Sequence, residues 1–178
     1  MVVHTGNHLY DIGIRGSGKR VIAIFYWIAL FMTIVDQITK LIVRLNMKVG
    51  DTHPFREGML QFTYYQNSGA ARSSFQGYGR MFGVLAVVFI VMVIYYRNKQ
   101  AVKHRWMDVG LAFLVAGAAG NGVERLMFGK VTDFLQFGSG QGIMNIADLS
   151  INVGILVIVV HQILLSIRTR RKASIKVG

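Results

Sequence analysis

The stretch from Val109 to Arg125 reads VGLAFLVAGAAGNGVER. Twelve apolar or glycine residues lead into a polar final turn of Asn121, Glu124 and Arg125. Ala112, Ala116 and Gly120 recur at every fourth position, the small-residue stripe that lets apolar helices approach closely. Packing explains the small residues. It does not explain an Asn, a Glu and an Arg on the same side, because a charge at membrane depth costs roughly 2.5–3.5 kcal/mol. Such residues mark function or a required partner.

Composition sets the environment of this stretch. The chain has 178 residues, 53% of them apolar and 16% charged, against about 25% charged in an ordinary soluble domain. That is too little charge to cover a water-facing surface, and too much apolar content for disorder. No cysteine is present, which excludes disulfides, thiolate metal sites and a cysteine nucleophile. The expectation is one small integral membrane protein.

Three more apolar runs accompany the first: Val21 to Val35, Met81 to Tyr96 and Ala147 to Ile167. A span needs about 20 mostly apolar residues. The runs at 21–35 and 109–123 reach that length only by continuing through Asp36 towards Arg44 and past Glu124. The reading is four transmembrane helices at about 21–44, 80–96, 107–125 and 147–168, in one unit over 21–168. Residues 1–20 are read as a flexible cytoplasmic tail and 169–178 as a basic cytoplasmic tail. No small-x-small cleavage site follows the first run, so it is read as an uncleaved span.

Net charge is +12, and its distribution orients the chain. Twelve of the 20 basic residues fall in the first 20 residues, in the segment RNKQAVKHR between runs two and three, or after Ile167. By the positive-inside rule both termini are cytoplasmic and the two long loops face outward. Attraction to anionic membrane lipid accounts for the basic balance better than nucleic acid does. Within the first outer loop, residues 59–66 read as a short strand, and Asn67-Ser68-Gly69 as a turn.

The remaining polar residues cluster. Asp36 and Lys40 share one face of the first helix and can form an intrahelical ion pair. Asp133 is bracketed by Val131, Phe134 and Leu135, an odd setting for a solvated carboxylate. Asp148 opens the fourth helix, where a carboxylate is favoured in any case, although Asn145 three residues earlier can itself be the cap. Runs three and four meet the same rim, so a hairpin between them can bring Asp133 and Asp148 together. Two close carboxylates share a proton and can hold a water between an acid and a base.

Other chemistries find less support. No G-x-S-x-G turn is present, and no Ser lies in a motif favouring a Ser–Lys pair with Lys40 or Lys130. His53, His104 and His161 do not form a zinc set, H-E-x-x-H is absent, and no metal or cofactor is expected. His161, in the middle of run four, is read as a packed or helix-bonded histidine.

Five segments in order carry a resemblance: Asp36-Gln-Ile-Thr-Lys40, Asn67-Ser-Gly-Ala-Ala71, Gly117-Ala-Ala-Gly-Asn121 with Glu124-Arg125, Val131-Thr-Asp-Phe134 and Asn145-Ile-Ala-Asp148. Together they are similar to signal peptidase II, a bacterial family of membrane aspartyl endopeptidases. The resemblance implies a four-helix membrane bundle with a small extracytoplasmic β-structure between helices 1 and 2. It implies removal of signal peptides from prolipoproteins, just before a diacylglyceryl-modified cysteine, at the outer face of the bacterial cytoplasmic membrane, and sensitivity to globomycin-type inhibitors. By the same resemblance Asp133 and Asp148 are the catalytic pair. Asp36, Lys40, Asn67, Gly69, Asn121, Glu124, Arg125 and Asn145 bind substrate or order the site. Arg72 stands where the family has an aromatic residue, Glu124 where it has Asp, and Met144 where it has Phe. The alternatives are a non-catalytic paralogue that binds lipidated peptides, or a small transporter or channel. Against the last, the intramembrane charges Asp36, Glu124, Arg125, Asp133 and Asp148 gather toward one face.

Overall fold

A computed structural model of the chain describes the backbone of residues 8–56, 58–69, 75–99, 104–138 and 142–177, and within these ranges the side chains from 23 to 170. The elements run α1 (His8–Asn46), β1 (Thr52–Arg56), β2 (Leu60–Asn67), α2 (Gly79–Lys99), α3 (Arg105–Phe128), β3 (Val131–Phe137), β4 (Ile143–Met144) and α4 (Ile146–Val177). Ala70, Ala71 and Arg72, singled out above, lie outside the described residues.

Each helix outruns its apolar segment. The backbone from residue 8 onward, read above as part of a flexible tail, continues α1. The only proline of the chain is Pro54, and glycines alone cost a helix about 1 kcal/mol each. Three described helices are long and apolar enough to cross a membrane: Gly79–Lys99, Arg105–Phe128 and the Ile146–Arg170 portion of α4.

α3 is the central helix and touches all three others. Its small residues permit this. Gly110 meets Gly154 of α4 so closely that a Cβ on Gly154 would sit 2.7 Å from the Gly110 carbonyl oxygen. Phe25, Val93, Leu111, Ala112 and Val115 form one apolar core between α1, α2 and α3. The outward faces of α2 and α4 remain apolar and exposed, with Val84, Val88, Leu156 and Leu164 among them, as expected of helices whose solvent is hydrocarbon.

Residues 59–66 form a strand as expected. The β-structure is larger than a feature of the first loop, however. β1 and β2 pair with β3 and β4 from the loop between α3 and α4, giving one antiparallel sheet in the order β1-β2-β3-β4. An isolated hairpin is marginal in water, and β3 supplies the missing partner. Gly129 makes this possible: at φ +70 it caps α3 and turns the chain into β3 within two residues. Val43, Tyr64, Phe134 and Leu135 then pack the sheet against α1.

One further expectation is corrected. Arg97, counted above as a loop charge, lies buried in the last turn of α2. Its guanidinium donates two hydrogen bonds to Asp108 of α3, at 3.1 and 3.0 Å, and stacks 4.2 Å from the Phe25 ring centroid. Buried charge is therefore not confined to the sheet end of the bundle, although at this opposite end it neutralises itself. His161 is of the packed kind: its Nε2 is buried with no hydrogen-bond partner among the described residues, and its ring lies 5.8 Å from that of His104.

Candidate active site

β3 is buried along both faces, from Val131 to Leu135. Alternation points Asp133 to one side and Thr132 to the other, so adjacent residues serve two different networks.

On the Asp133 side lies a cavity of about 420 Å³. Asp133 and Asp148 both line it, as do Asn67, Asn121, Arg125 and Asn145. Asp133 Oδ1 accepts from Asn145 Nδ2 at 2.6 Å, and Oδ2 accepts from Asn67 Nδ2 at 3.1 Å. The sheet register explains the second bond. Asn67 faces Val131 across the β2–β3 ladder, so Asp133 is its diagonal neighbour on the same face.

Asp148 is held from the other side. Its Oδ1 accepts from Asn121 Nδ2 at 2.8 Å, and Asn121 Oδ1 in turn accepts from Asn145 Nδ2 at 3.1 Å and from Lys40 Nζ at 2.9 Å. Asn145 and Asp148 cap each other across the first turn of α4: Asn145 Oδ1 accepts the Asp148 N–H at 2.9 Å, and Asp148 Oδ2 accepts the Asn145 N–H at 3.3 Å. This reciprocal arrangement is a capping box. The capping expected at the start of α4 is thus present, and the capping residues also line the cavity.

Asp36, Lys40 and Glu124 do not line the cavity. They form a buried network behind it. Lys40, fully buried, meets Asp36 at 2.9 Å and Glu124 at 3.1 Å. The intrahelical pair expected from spacing is therefore present, but Lys40 also reaches Asn121 on α3. Glu124 accepts from the Thr132 N–H at 3.0 Å and its hydroxyl at 2.9 Å, and also from Arg44. The extra methylene of a Glu at this position is used: it spans from α3 to the far face of β3. Gly69 is buried with its N–H bonded to Asn67 Oδ1 and its carbonyl to Arg125 Nη2, at 3.0 and 3.2 Å.

Three participants escape sequence reasoning. Arg44 continues the helical face of Asp36 and Lys40 at the next fourth position, and Asn152 repeats the face of Asp148; both spacings are legible signals. Thr132 gives none, because its role depends on β3 having two buried faces.

Burial pushes the Asp133 carboxyl up to about 7, helped by the charge of Asp148 and opposed by the bonds from Asn67 and Asn145. The buried Asp133 carboxyl thus favours its protonated form far more than an exposed carboxylate does, beside Asp148 and in a cavity of about 420 Å³. Two carboxyls lining one cavity, one of them inclined to hold a proton, are suited to general acid–base chemistry.

Fold and site together define the class, a membrane-embedded aspartic peptidase. The family model described as signal peptidase (SPase) II matches residues 28–164. A lipoprotein signal peptidase of Bacillus pumilus is 35% identical, over 84% of this chain and 99% of that one. One from Staphylococcus aureus is also 35% identical, over 75% of this chain and 83% of its own. Among solved structures, a bacterial membrane enzyme determined by the in meso method superposes with a TM-score of 0.75 at 32% identity, covering 80% of this chain and 88% of that one. A second of the same description gives 0.72 at 33% identity, over 79% and 93%. The chain belongs to the signal peptidase II family.

Proposed function

We propose that Asp133 and Asp148 act together on one water to cut the signal peptide from a prolipoprotein, immediately before a cysteine that already carries diacylglycerol. The ionised carboxylate takes a proton from the water as its oxygen adds to the scissile carbonyl. The protonated carboxyl then gives its proton to the departing amide nitrogen, and the C–N bond breaks. The pair ends the cycle with one proton, as it began. In low dielectric the backbone of an extended substrate needs hydrogen-bond partners, and the amides of Asn67 and Asn121 with the guanidinium of Arg125 are suited to supply them.

The observation that carries this reading is the shared cavity: both carboxylates line it, and each is fixed by an asparagine amide. In our reading α1 is a fourth span whose Asp36 is paired with Lys40 on the same helix, and whose Lys40 and Arg44 both meet Glu124 on α3. Both termini then lie in the cytoplasm, and the sheet and cavity lie at the outer face of the bacterial cytoplasmic membrane, among lipids that also carry the substrate. Globomycin-type peptides would compete for the same cavity.

The test uses purified full-length protein in lipid with a diacylglyceryl-modified peptide and its unmodified twin. Cleavage confined to the modified peptide, and blocked by globomycin, is the expected result. Cleavage of neither, with substrate bound, would instead favour a lipopeptide-binding paralogue.

A further inference from the structure

Arg125 stands at a boundary. One side of it is the polar cavity with the two carboxylates. On the other is an apolar groove of about 230 Å³ between α2, α3 and α4, lined by Phe82, Phe89, Leu114, Ala118 and Ile151. Asn121, Arg125 and Ile151 border both spaces, so the two adjoin at these side chains. From Leu114 to Arg125 the groove follows roughly 16 Å of helix, at 1.5 Å per residue. Nη2 of Arg125 is committed to the Gly69 carbonyl and the guanidinium lies 5.6 Å from the Phe82 ring centroid. Its Nε is buried and has no hydrogen-bond partner among the described residues. A buried donor left without an acceptor is unfavourable, and a bound molecule that brings an acceptor to this position is favoured.

We infer that the groove seats one acyl chain of the substrate's diacylglyceryl group and that Arg125 Nε donates to the ester carbonyl of that chain. This rests on the function proposed above. Such a substrate changes from peptide to hydrocarbon across a glyceryl ester, and the site changes from polar cavity to apolar groove across Arg125. The ester carbonyl is the acceptor at that junction. Ala118 is half-buried on the groove wall, so a larger side chain there shortens the groove without entering the helix core.

The experiment compares three synthetic lipopeptides on the full-length enzyme in bilayers: a dipalmitoyl ester, its dialkyl ether twin, which lacks the carbonyl, and a dioctanoyl ester. In the wild type, replacing ester by ether lowers kcat/KM about ten- to a hundredfold, the range for a hydrogen bond to a charged group. Arg125→Gln loses a similar factor on the ester and no longer distinguishes ester from ether. Ala118→Leu raises KM for the dipalmitoyl substrate about tenfold, with kcat unchanged and the dioctanoyl substrate little affected. Equal handling of ester and ether by the wild type overturns the inference, as does an ester preference that survives in Arg125→Gln. A KM in Ala118→Leu that is indifferent to chain length does so too, and assigns the groove to bulk lipid. If Arg125→Gln does not fold, the wild-type comparison and Ala118→Leu decide. Failure of the wild type to cleave any of the three would instead remove the peptidase reading itself.

Discussion

Asp36 Oδ1, on α1, accepts the backbone N–H of Ala147 at 2.8 Å. A carboxylate of the first helix thus caps the first turn of the fourth. Asp148 is the next residue, so α1 sets where that side chain stands. Asp36→Ala removes this bond and the 2.9 Å partner of Lys40, leaving Glu124 to hold the ammonium. Breaking a buried pair costs about 3–5 kcal/mol when nothing remains. With Glu124 in place the expected loss is roughly 2 kcal/mol, accompanied by a drop in kcat. Thermal unfolding in detergent and cleavage rate, measured on one preparation, check both.

Asp133→Asn and Asp148→Asn should each lower cleavage by roughly 10³-fold or more, the scale seen when one member of a cooperating catalytic set is lost. Folding should survive. Both oxygens of Asp133 accept N–H donors, so an amide NH₂ there faces a donor and forfeits about 1 kcal/mol. Near-normal turnover by either variant would remove the pair from the mechanism.

The proton on Asp133 makes a pH prediction. Unfolded, this carboxyl titrates near 3.8; folded, it holds its proton up to about 7. Between about pH 4 and 7 the folded chain binds the extra proton, so stability from this group is present at the acid end and falls as pH rises through that window. Melting temperature against pH should slope downward there, and more weakly in Asp133→Asn. Cleavage should decline above about pH 7 as the pair loses its shared proton, the apparent value belonging to the pair.

Gly120 is required where it stands. A Cβ there would lie 2.5 Å from Asp36 Oδ2 and 3.1 Å from the Ala147 Cβ. The carboxylate is pinned by Lys40, Gln37 and the Ala147 N–H, so it cannot swing aside. Gly120→Ala should therefore cost about 1–3 kcal/mol, the usual penalty for overpacking, and lower activity with it, even though alanine is the better helix former.

Asp108→Asn tests the opposite end. It leaves the buried Arg97 guanidinium without its ionic partner, at a cost of about 3–5 kcal/mol. Activity per folded molecule should hold, since the pair lies at the other end of α3 from the cavity. A selective loss of kcat without loss of melting temperature would refute this separation.

The helices were legible because apolar length in so weakly charged a chain has few other meanings. The polar members of the site were legible because Asp36, Glu124, Arg125, Asp133 and Asp148 stand where solvation cannot account for them. Spacing along one helix found the Lys40–Asp36 pair, but the reach of Lys40 to Asn121 depends on how closely α1 and α3 approach. The sheet was half read. LQFTYYQN declares β2, whereas VTDFLQF, lying between Gly129 and Gly138, carries the same β-branched and aromatic signal around an aspartate that drew attention to itself as chemistry. The burial of Arg97 was not readable, because a basic residue at the end of an apolar run serves equally well as a topology signal or as a partner for a carboxylate on the next helix.

The sheet draws its strands from two loops that are far apart in the chain, and the cavity draws side chains from β2, α3, β3 and α4, with α1 behind. Biosynthesis delivers these parts in order, and Asp148 comes after every other carboxylate in the chain. A nascent molecule still lacking its last helix has neither the second acid nor the cap that aims it. On the mechanism proposed above, the cavity therefore gains its second carboxyl only once the last helix is in place.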